Sequence, residues 1–170
     1  ATRVTVTFEE SLKNFNKNKT TWTGNPVREE ILTGNKEWAI STFNLEKGLP
    51  TILILGGGTG ALKLNKLVVG ALPELTKFCQ IIHLTGRGRG FQISDCKFQI
   101  ADQRQQVYRR YHAYEFLTQE LKDAYASADL IITRAGLSTL TELSVLGKPT
   151  VIVPIPDSVS YTHLRAHETS

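Results

Sequence analysis

Two glycine turns, each set between a run of β-formers and a helical pattern, hold the residue types best suited to chemistry. The first is TILILGGGTGALKLN (Thr51 to Asn65), in which Gly56, Gly57, Gly58 and Gly60 follow the apolar run Ile52 to Leu55 directly. Such a turn at the carboxyl end of a parallel strand offers backbone N–H groups and the positive end of a helix dipole to a phosphate. The second is DLIITRAGLSTLTELSVLGKP, where Leu130 to Thr133 run into Arg134, Ala135 and Gly136 and a helix begins near Ser138. Ser138 and Thr139 would present hydroxyls and N–H groups there. Glu142 lies one turn further in on the same side, where a carboxylate can accept two hydrogen bonds from a ribose diol.

Other chemistries compete for both turns. Gly56-x-Gly58-x-x-Ala61 also fits the dinucleotide fingerprint, which calls for an acidic residue ending the next strand. Here QIIHLT runs into Gly86 and Arg87 instead. NAD is therefore disfavoured, while NADP with Arg87 on its 2′-phosphate stays open, as does a strand-to-helix turn with no ligand. The P-loop is excluded, because no Gly-Lys-Ser/Thr follows the glycines to supply the phosphate lysine and the magnesium hydroxyl. At the second turn the competing reading is a capping box, with Ser138 as N-cap and Thr141 or Glu142 assisting. A second glycine turn at the equivalent place after another strand weighs against that reading. No general base stands out: His83 lies inside an apolar run and His112 at a strand start, and both read as core histidines. His163 and His167 lie four apart, but a metal would need a third ligand.

The elements that must position these turns follow from period and punctuation. RVTVTF (Arg3 to Phe8) alternates like a strand and TTW is a second short extended piece. In TGNPVREEIL, Asn25 reads as an N-cap, Pro26 as the first helical residue, and Glu29 and Glu30 as first-turn acids. KEWAISTFNL is helical and closes at EKGLP. From Thr51 onward apolar runs alternate with helical patterns: TILIL, GALKLNKLVVGAL, QIIHLT, HAYEF, LTQELKDAYAS, DLIIT, STLTELSVLG and TVIVPI. This is βαβ rhythm, and runs such as ILIL and LIIT suit parallel strands covered by helices on both faces. The fold class is α/β, a doubly wound parallel sheet. Gly86 to Arg110 holds a loop and one helix.

Composition sets the outer limits. With 170 residues, 41% hydrophobic and 21% charged, the chain has the material for one packed α/β domain. No apolar run approaches the roughly 20 residues of a membrane-spanning helix, and the first residues, ATRVTVTFEE, lack the apolar core of a signal peptide. A cytoplasmic address is the default expectation. Cys79 and Cys96 read as reduced thiols. The net charge of +4 gathers partly at Arg87, Arg89, Arg104, Arg109 and Arg110. Solvated arginines are the plain reading, an anionic membrane surface or a diphosphate the functional one. Nucleic acid comes last, since no aromatic platforms interleave with them.

Taken together, TGNPVRE, LGGGTGALKLN and YEFLTQELKDAYASADLIITRAGLSTLTELSVLGKPTVIVPIP resemble, in order and spacing, the family 28 GT-B glycosyltransferases of peptidoglycan synthesis. These two-domain enzymes convert lipid I to lipid II. The resemblance covers most of residues 1 to 157 and is strongest from Ala128 to Pro156. It implies transfer of N-acetylglucosamine from UDP-N-acetylglucosamine to a muramyl sugar on a polyprenyl pyrophosphate, with inversion and with neither cofactor nor metal, at the inner face of the cytoplasmic membrane. Related GT-B enzymes, a glycolipid galactosyltransferase or a UDP-sugar epimerase, and a nucleotide-binding module without catalysis remain the alternatives.

The resemblance also implies roles. Arg28 would reach the donor from an interdomain segment, and the turn at Gly58, Thr59 and Gly60 would approach the diphosphate. Phe116 would pack beside the nucleotide or sugar, and Leu117 would meet the uracil through its backbone. Leu137, Ser138 and Thr139 would contact the phosphates, with Leu140 and Thr141 completing that turn, and Glu142 would hold the ribose. Gly58 stands where the family commonly has Ser, leaving backbone donation only, and Ser138 where a hydrophobic residue is also found. The general base would lie in a first domain whose body is not in this sequence. Residues 1–23 then read as a remnant of that acceptor domain, 24–50 as an interdomain segment with a helix, and 51–158 as a truncated donor-binding domain. Residues 159–170 (VSYTHLRAHETS from Val159) read as a tail foreign to the fold, resembling translated sequencing adapter.

Overall fold

The computed structural model describes residues 3–56, 62–88 and 101–154. Near the start, β1 (Val4–Val6) pairs in parallel with β2 (Thr20–Trp22), joined by two short 3-10 turns. A third 3-10 turn, Glu29–Thr33, leads to α1 (Lys36–Thr42), whose N-cap Asn35 accepts a hydrogen bond from the backbone N–H of Trp38. The main body alternates β3 (Thr51–Leu55), α2 (Leu62–Leu75), β4 (Gln80–Leu84), α3 (Ala101–Arg110), β5 (Tyr111–Tyr114), α4 (Leu121–Ser127), β6 (Leu130–Arg134), α5 (Leu137–Leu146) and β7 (Thr150–Val153). The five-stranded sheet has the order β5-β4-β3-β6-β7, every pair parallel. This is the doubly wound α/β fold expected from the alternating pattern.

The strand period of two sorts the apolar residues onto two faces. Leu53, Leu55, Ile82 and Ile131 face a core built with Ile31, Ala39, Phe43 and Leu45 from the preceding segment, Ala124, Tyr125 and Ala128 from α4 and its end, and Leu143 from α5. Ile52, Ile54 and Ile81 face the other core, with Leu64, Val68 and Leu72 of α2 and Val107 of α3. Central β3 is buried along its whole length, as a strand with helices on both sides must be. The stretch read from sequence as an interdomain segment thus contributes four side chains to one face of this core. Its approach is close: a Cβ on Gly34 would collide with the backbone carbonyl of Lys122 in α4.

Several local expectations are corrected. Asn25 caps no helix; its amide donates to Thr141 Oγ1 at 3.2 Å, and Pro26 precedes the turn, which begins only after Arg28. The tertiary partner outcompetes the local cap. Helix α2 runs through Pro73 to Leu75, since buried Leu72 and half-buried Leu75 hold that turn against the core. The strand read as HAYEF occupies Tyr111–Tyr114, so Glu115 and Phe116 lie beyond it. The arginines are not uniformly solvated. Arg110 pairs with Glu46 at 3.1 Å and donates to the Thr76 carbonyl at 2.7 Å, and Arg109 reaches Glu46 at 3.2 Å. Together they hold the Glu46 carboxyl below its usual pKa, the Arg110 hydrogen bond first. Arg89, Cys96 and the segment from 159 onward lie outside the described residues. Cys79 is a buried free thiol.

His83 is the core histidine that its apolar surroundings suggest, with no solvent exposure. Tyr111 Oη lies 2.9 Å from its Nδ1, Asn65 Oδ1 lies 3.1 Å from its Nε2, and the Asn65 amide donates onward to the Thr85 carbonyl at 2.9 Å. A carbonyl oxygen can only accept, so the neutral ring carries its proton on Nε2 and accepts from Tyr111. Burial lowers its pKa to about 4. The unfolded chain therefore binds more protons than the folded one between about pH 4 and the unfolded value near 6.5. This contribution is complete above pH 6.5 and is lost as pH falls toward 4, at most about 3 kcal/mol. Denaturant melts at pH 7.5, 6 and 5 check it: His83→Gln should fall less steeply with acid than wild type, and parallel curves would refute the assignment. His112, half-buried on β5, has Nε2 enclosed with no hydrogen-bonding partner among the described residues, and burial lowers its pKa too.

Candidate nucleotide site

The sheet order reverses between β3 and β6, because the chain leaves β3 toward β4 on one side and leaves β6 toward β7 on the other. At such a switch point the two connections diverge to opposite faces and leave a crevice outside the carboxyl ends of the strands. Gly56, directly after β3, and the second glycine turn, directly after β6, lie at these carboxyl ends. Of the first, Gly56 is described, its N–H donating to the Leu84 carbonyl at 3.2 Å; Gly58, Thr59 and Gly60 lie outside the described residues.

The second turn is described completely. Gly136, not Ser138, is the N-cap of α5: its carbonyl accepts from the N–H of Leu140 at 2.9 Å, and its own N–H folds back onto the Arg134 carbonyl at 2.8 Å. The capping box with Ser138 as N-cap is therefore not formed. Glycine has no side chain to cap with, so the first N–H groups of α5, those of Leu137, Ser138 and Thr139, point out of the helix end without a capping side chain. Leu137 and Ser138 are exposed, and Thr139 and Leu140 half-buried. Thr141 has its hydroxyl engaged, donating to the Leu137 carbonyl at 2.9 Å while accepting from Asn25.

Glu142 is the focus of the site. Only 7% exposed, it accepts at Oε1 from Arg28 Nε at 2.8 Å and at Oε2 from the Tyr125 hydroxyl at 3.1 Å. That hydrogen bond raises the pKa of Arg28 above its ordinary value, and the charge of Glu142 adds to it. Tyr125 is pushed up as well, chiefly by burial and then by the neighbouring carboxylate. Arg28, half-exposed, also borders a cavity of about 240 Å³ shared with Glu30, Ile31, Thr118, Gln119, Leu121 and Lys122. Phe116 is 52% exposed, and the Arg87 guanidinium carbon lies 5.3 Å from its ring centroid. Leu117 turns its side chain into the core.

The structure thus joins Arg28 to Glu142 and Asn25 to Thr141, pairs more than a hundred residues apart, and sets the loop after Leu117 at the same cavity as Arg28. Tyr125, which bonds Glu142, was not singled out from sequence, and Asn25, which bonds Thr141, was read there only as a helix cap. A signal for Tyr125 existed: a tyrosine in the buried stretch of a short helix needs a partner for its hydroxyl. Among the described residues no three His, Cys, Asp or Glu side chains stand together as a metal site.

Residues 51–169 match the glycosyltransferase family 28 C-terminal domain. The chain belongs to this family. Family 28 relatives include the UDP-N-acetylglucosamine–N-acetylmuramyl-(pentapeptide) pyrophosphoryl-undecaprenol N-acetylglucosamine transferase 2 of Bacillus cereus, 39% identical over 155 residues, covering 91% of this chain and 41% of that protein. The corresponding transferase of Thermodesulfovibrio yellowstonii is 38% identical over 172 residues, covering 96% of this chain and 43% of its own length. The chain therefore spans about two fifths of the curated relatives it matches. Among solved structures, MurG of Acinetobacter baumannii superposes with a TM-score of 0.50 at 24% identity, covering 89% of this chain and 41% of that one. The glycosyltransferase of kitacinnamycin gives 0.57 at 15% identity, over 92% of this chain and 37% of its own. These likenesses show the fold of one half of a GT-B glycosyltransferase.

Proposed function

We propose that this chain is the donor-binding part of an inverting transferase that passes N-acetylglucosamine from UDP-N-acetylglucosamine to lipid I, forming lipid II at the inner face of the cytoplasmic membrane. The observation that carries the donor reading is Glu142: a nearly buried carboxylate in the second turn of α5, joined to Arg28, on the helix whose first N–H groups, those of Leu137 to Thr139, have no capping side chain. A ribose diol donates to the carboxylate while the helix end and Arg28 meet the diphosphate, the arrangement in which fixed dipoles stabilise the charge that develops as UDP leaves. Gly58, Thr59 and Gly60 would add backbone N–H groups from the first turn, and the backbone at Leu117, with Phe116 beside it, would receive the uracil. The names of the family 28 relatives support the sugar and the acceptor. No described helix is long and apolar enough to cross a membrane.

Titration calorimetry tests the donor reading. UDP should bind with a measurable enthalpy and UMP more weakly, since UMP lacks the second phosphate. No sugar transfer to lipid I by this chain is expected, because among the described residues no side chain is placed as its base. Absence of UDP binding would overturn the donor reading.

A further inference from the structure

We propose that Tyr125 is a positioning residue for ribose recognition, fixing through its hydroxyl the orientation in which the Glu142 carboxylate receives the two donor hydroxyls. The proposal rests on the donor-binding reading and extends it to a residue on another helix. Glu142 belongs to α5, Tyr125 to α4 and Arg28 to the segment before α1, so three separate elements meet at one carboxylate.

The terminal torsion of a glutamate is soft, with broad rather than staggered preferences. A single hydrogen bond from the half-exposed Arg28 to Oε1 would leave Oε2 free to swing about that bond. The Tyr125 hydroxyl, on a residue 2% exposed within the core cluster that holds Ala124, Ala128 and Leu143, grips the other oxygen at 3.1 Å and stops the swing. An ionised carboxylate has about four acceptor positions. Among the described residues two are taken, one on each oxygen, which leaves one on each oxygen. That is the demand of a vicinal diol, which presents two donors side by side.

Packing alone does not call for this hydroxyl. Phenylalanine fills nearly the same volume and would leave the apolar cluster intact without any polar atom to satisfy. The hydroxyl contributes only where the carboxylate must be held.

The decisive variant is Tyr125→Phe, with UDP and 2′,3′-dideoxy-UDP titrated into the full 170-residue chain. UDP affinity should fall roughly threefold to tenfold, the range expected when one hydrogen bond that orders a charged acceptor is lost. Affinity for the dideoxy analogue should not change, since it has no diol to present. In a Glu142→Gln background the same substitution should cause no further loss of UDP affinity, because the two act as one unit. An equal fall for both ligands would show a structural role only, and no fall for either would show no role; both overturn the proposal while leaving the donor reading intact. Failure of the wild-type chain to bind UDP would overturn both.

Discussion

Glu142→Gln should weaken UDP binding by roughly tenfold to a hundredfold, while 2′,3′-dideoxy-UDP binds wild type and variant with similar affinity. The magnitude is that of hydrogen bonds to a charged acceptor, about 1.5–3 kcal/mol. The fold should survive the change, and the geometry says why. A glutamine keeps one carbonyl oxygen for Arg28 Nε, and its amide nitrogen then faces the Tyr125 hydroxyl, which can rotate and accept in place of donating. The cost in stability is that of exchanging a charged acceptor for a neutral one beside a half-exposed arginine, on the order of 1 kcal/mol. That separates this position from a simple helix cap, whose loss would reduce stability without distinguishing one ligand from another. Calorimetry with both nucleotides, beside denaturant melts of the two proteins, makes the comparison. If the variant still favours UDP over the dideoxy analogue as strongly as wild type does, Glu142 does not hold the ribose.

The second large effect is on stability. Phe43→Ala should cost about 3–5 kcal/mol, a sizeable part of the roughly 5–15 kcal/mol by which a domain is stable. Phe43 ends α1 and is 1% exposed, its ring meeting Tyr114 of β5 edge-on with centroids 5.4 Å apart. The loss has two sources: the transfer free energy of the ring, and a cavity beneath β3 and β4 that their backbones are too constrained to fill. A melting temperature lower by some 6–20 °C would accompany it. The result bears on domain organisation, because a mere linker could lose this side chain at little cost. A change under 1 kcal/mol would show that residues 24–50 only rest against the sheet.

How far the sequence reached can be seen element by element. The strands from Thr51 onward were legible because parallel strands buried on both faces must be apolar at nearly every position, and each was bounded by glycine, proline or a helical period. The second turn was legible as a turn because Ala135-Gly136 break the apolar run of β6 just before the helical period of α5 begins. Where sequence reading went astray, a distant partner had displaced a local one. Asn25 and Pro26 formed a good helix start on paper, yet Asn25 spends its amide on Thr141, 116 residues away. Ser138 made a plausible N-cap, but Gly136 already takes that place through its own carbonyl.

The types of residue needed for a phosphate and a ribose, and the βαβ order that sets a glycine-rich stretch after each of two apolar strands, are properties of this sequence alone, since they depend on near-neighbour spacing and on the periods of strands and helices. The state of Glu142 is not. Its burial, its ion pair with Arg28 and its bond from Tyr125 depend on three elements converging from 114 and 17 residues away. Hydrogen bonds of that span leave no period in the chain, and only the packing of α4 and α5 on a common face of the sheet creates them.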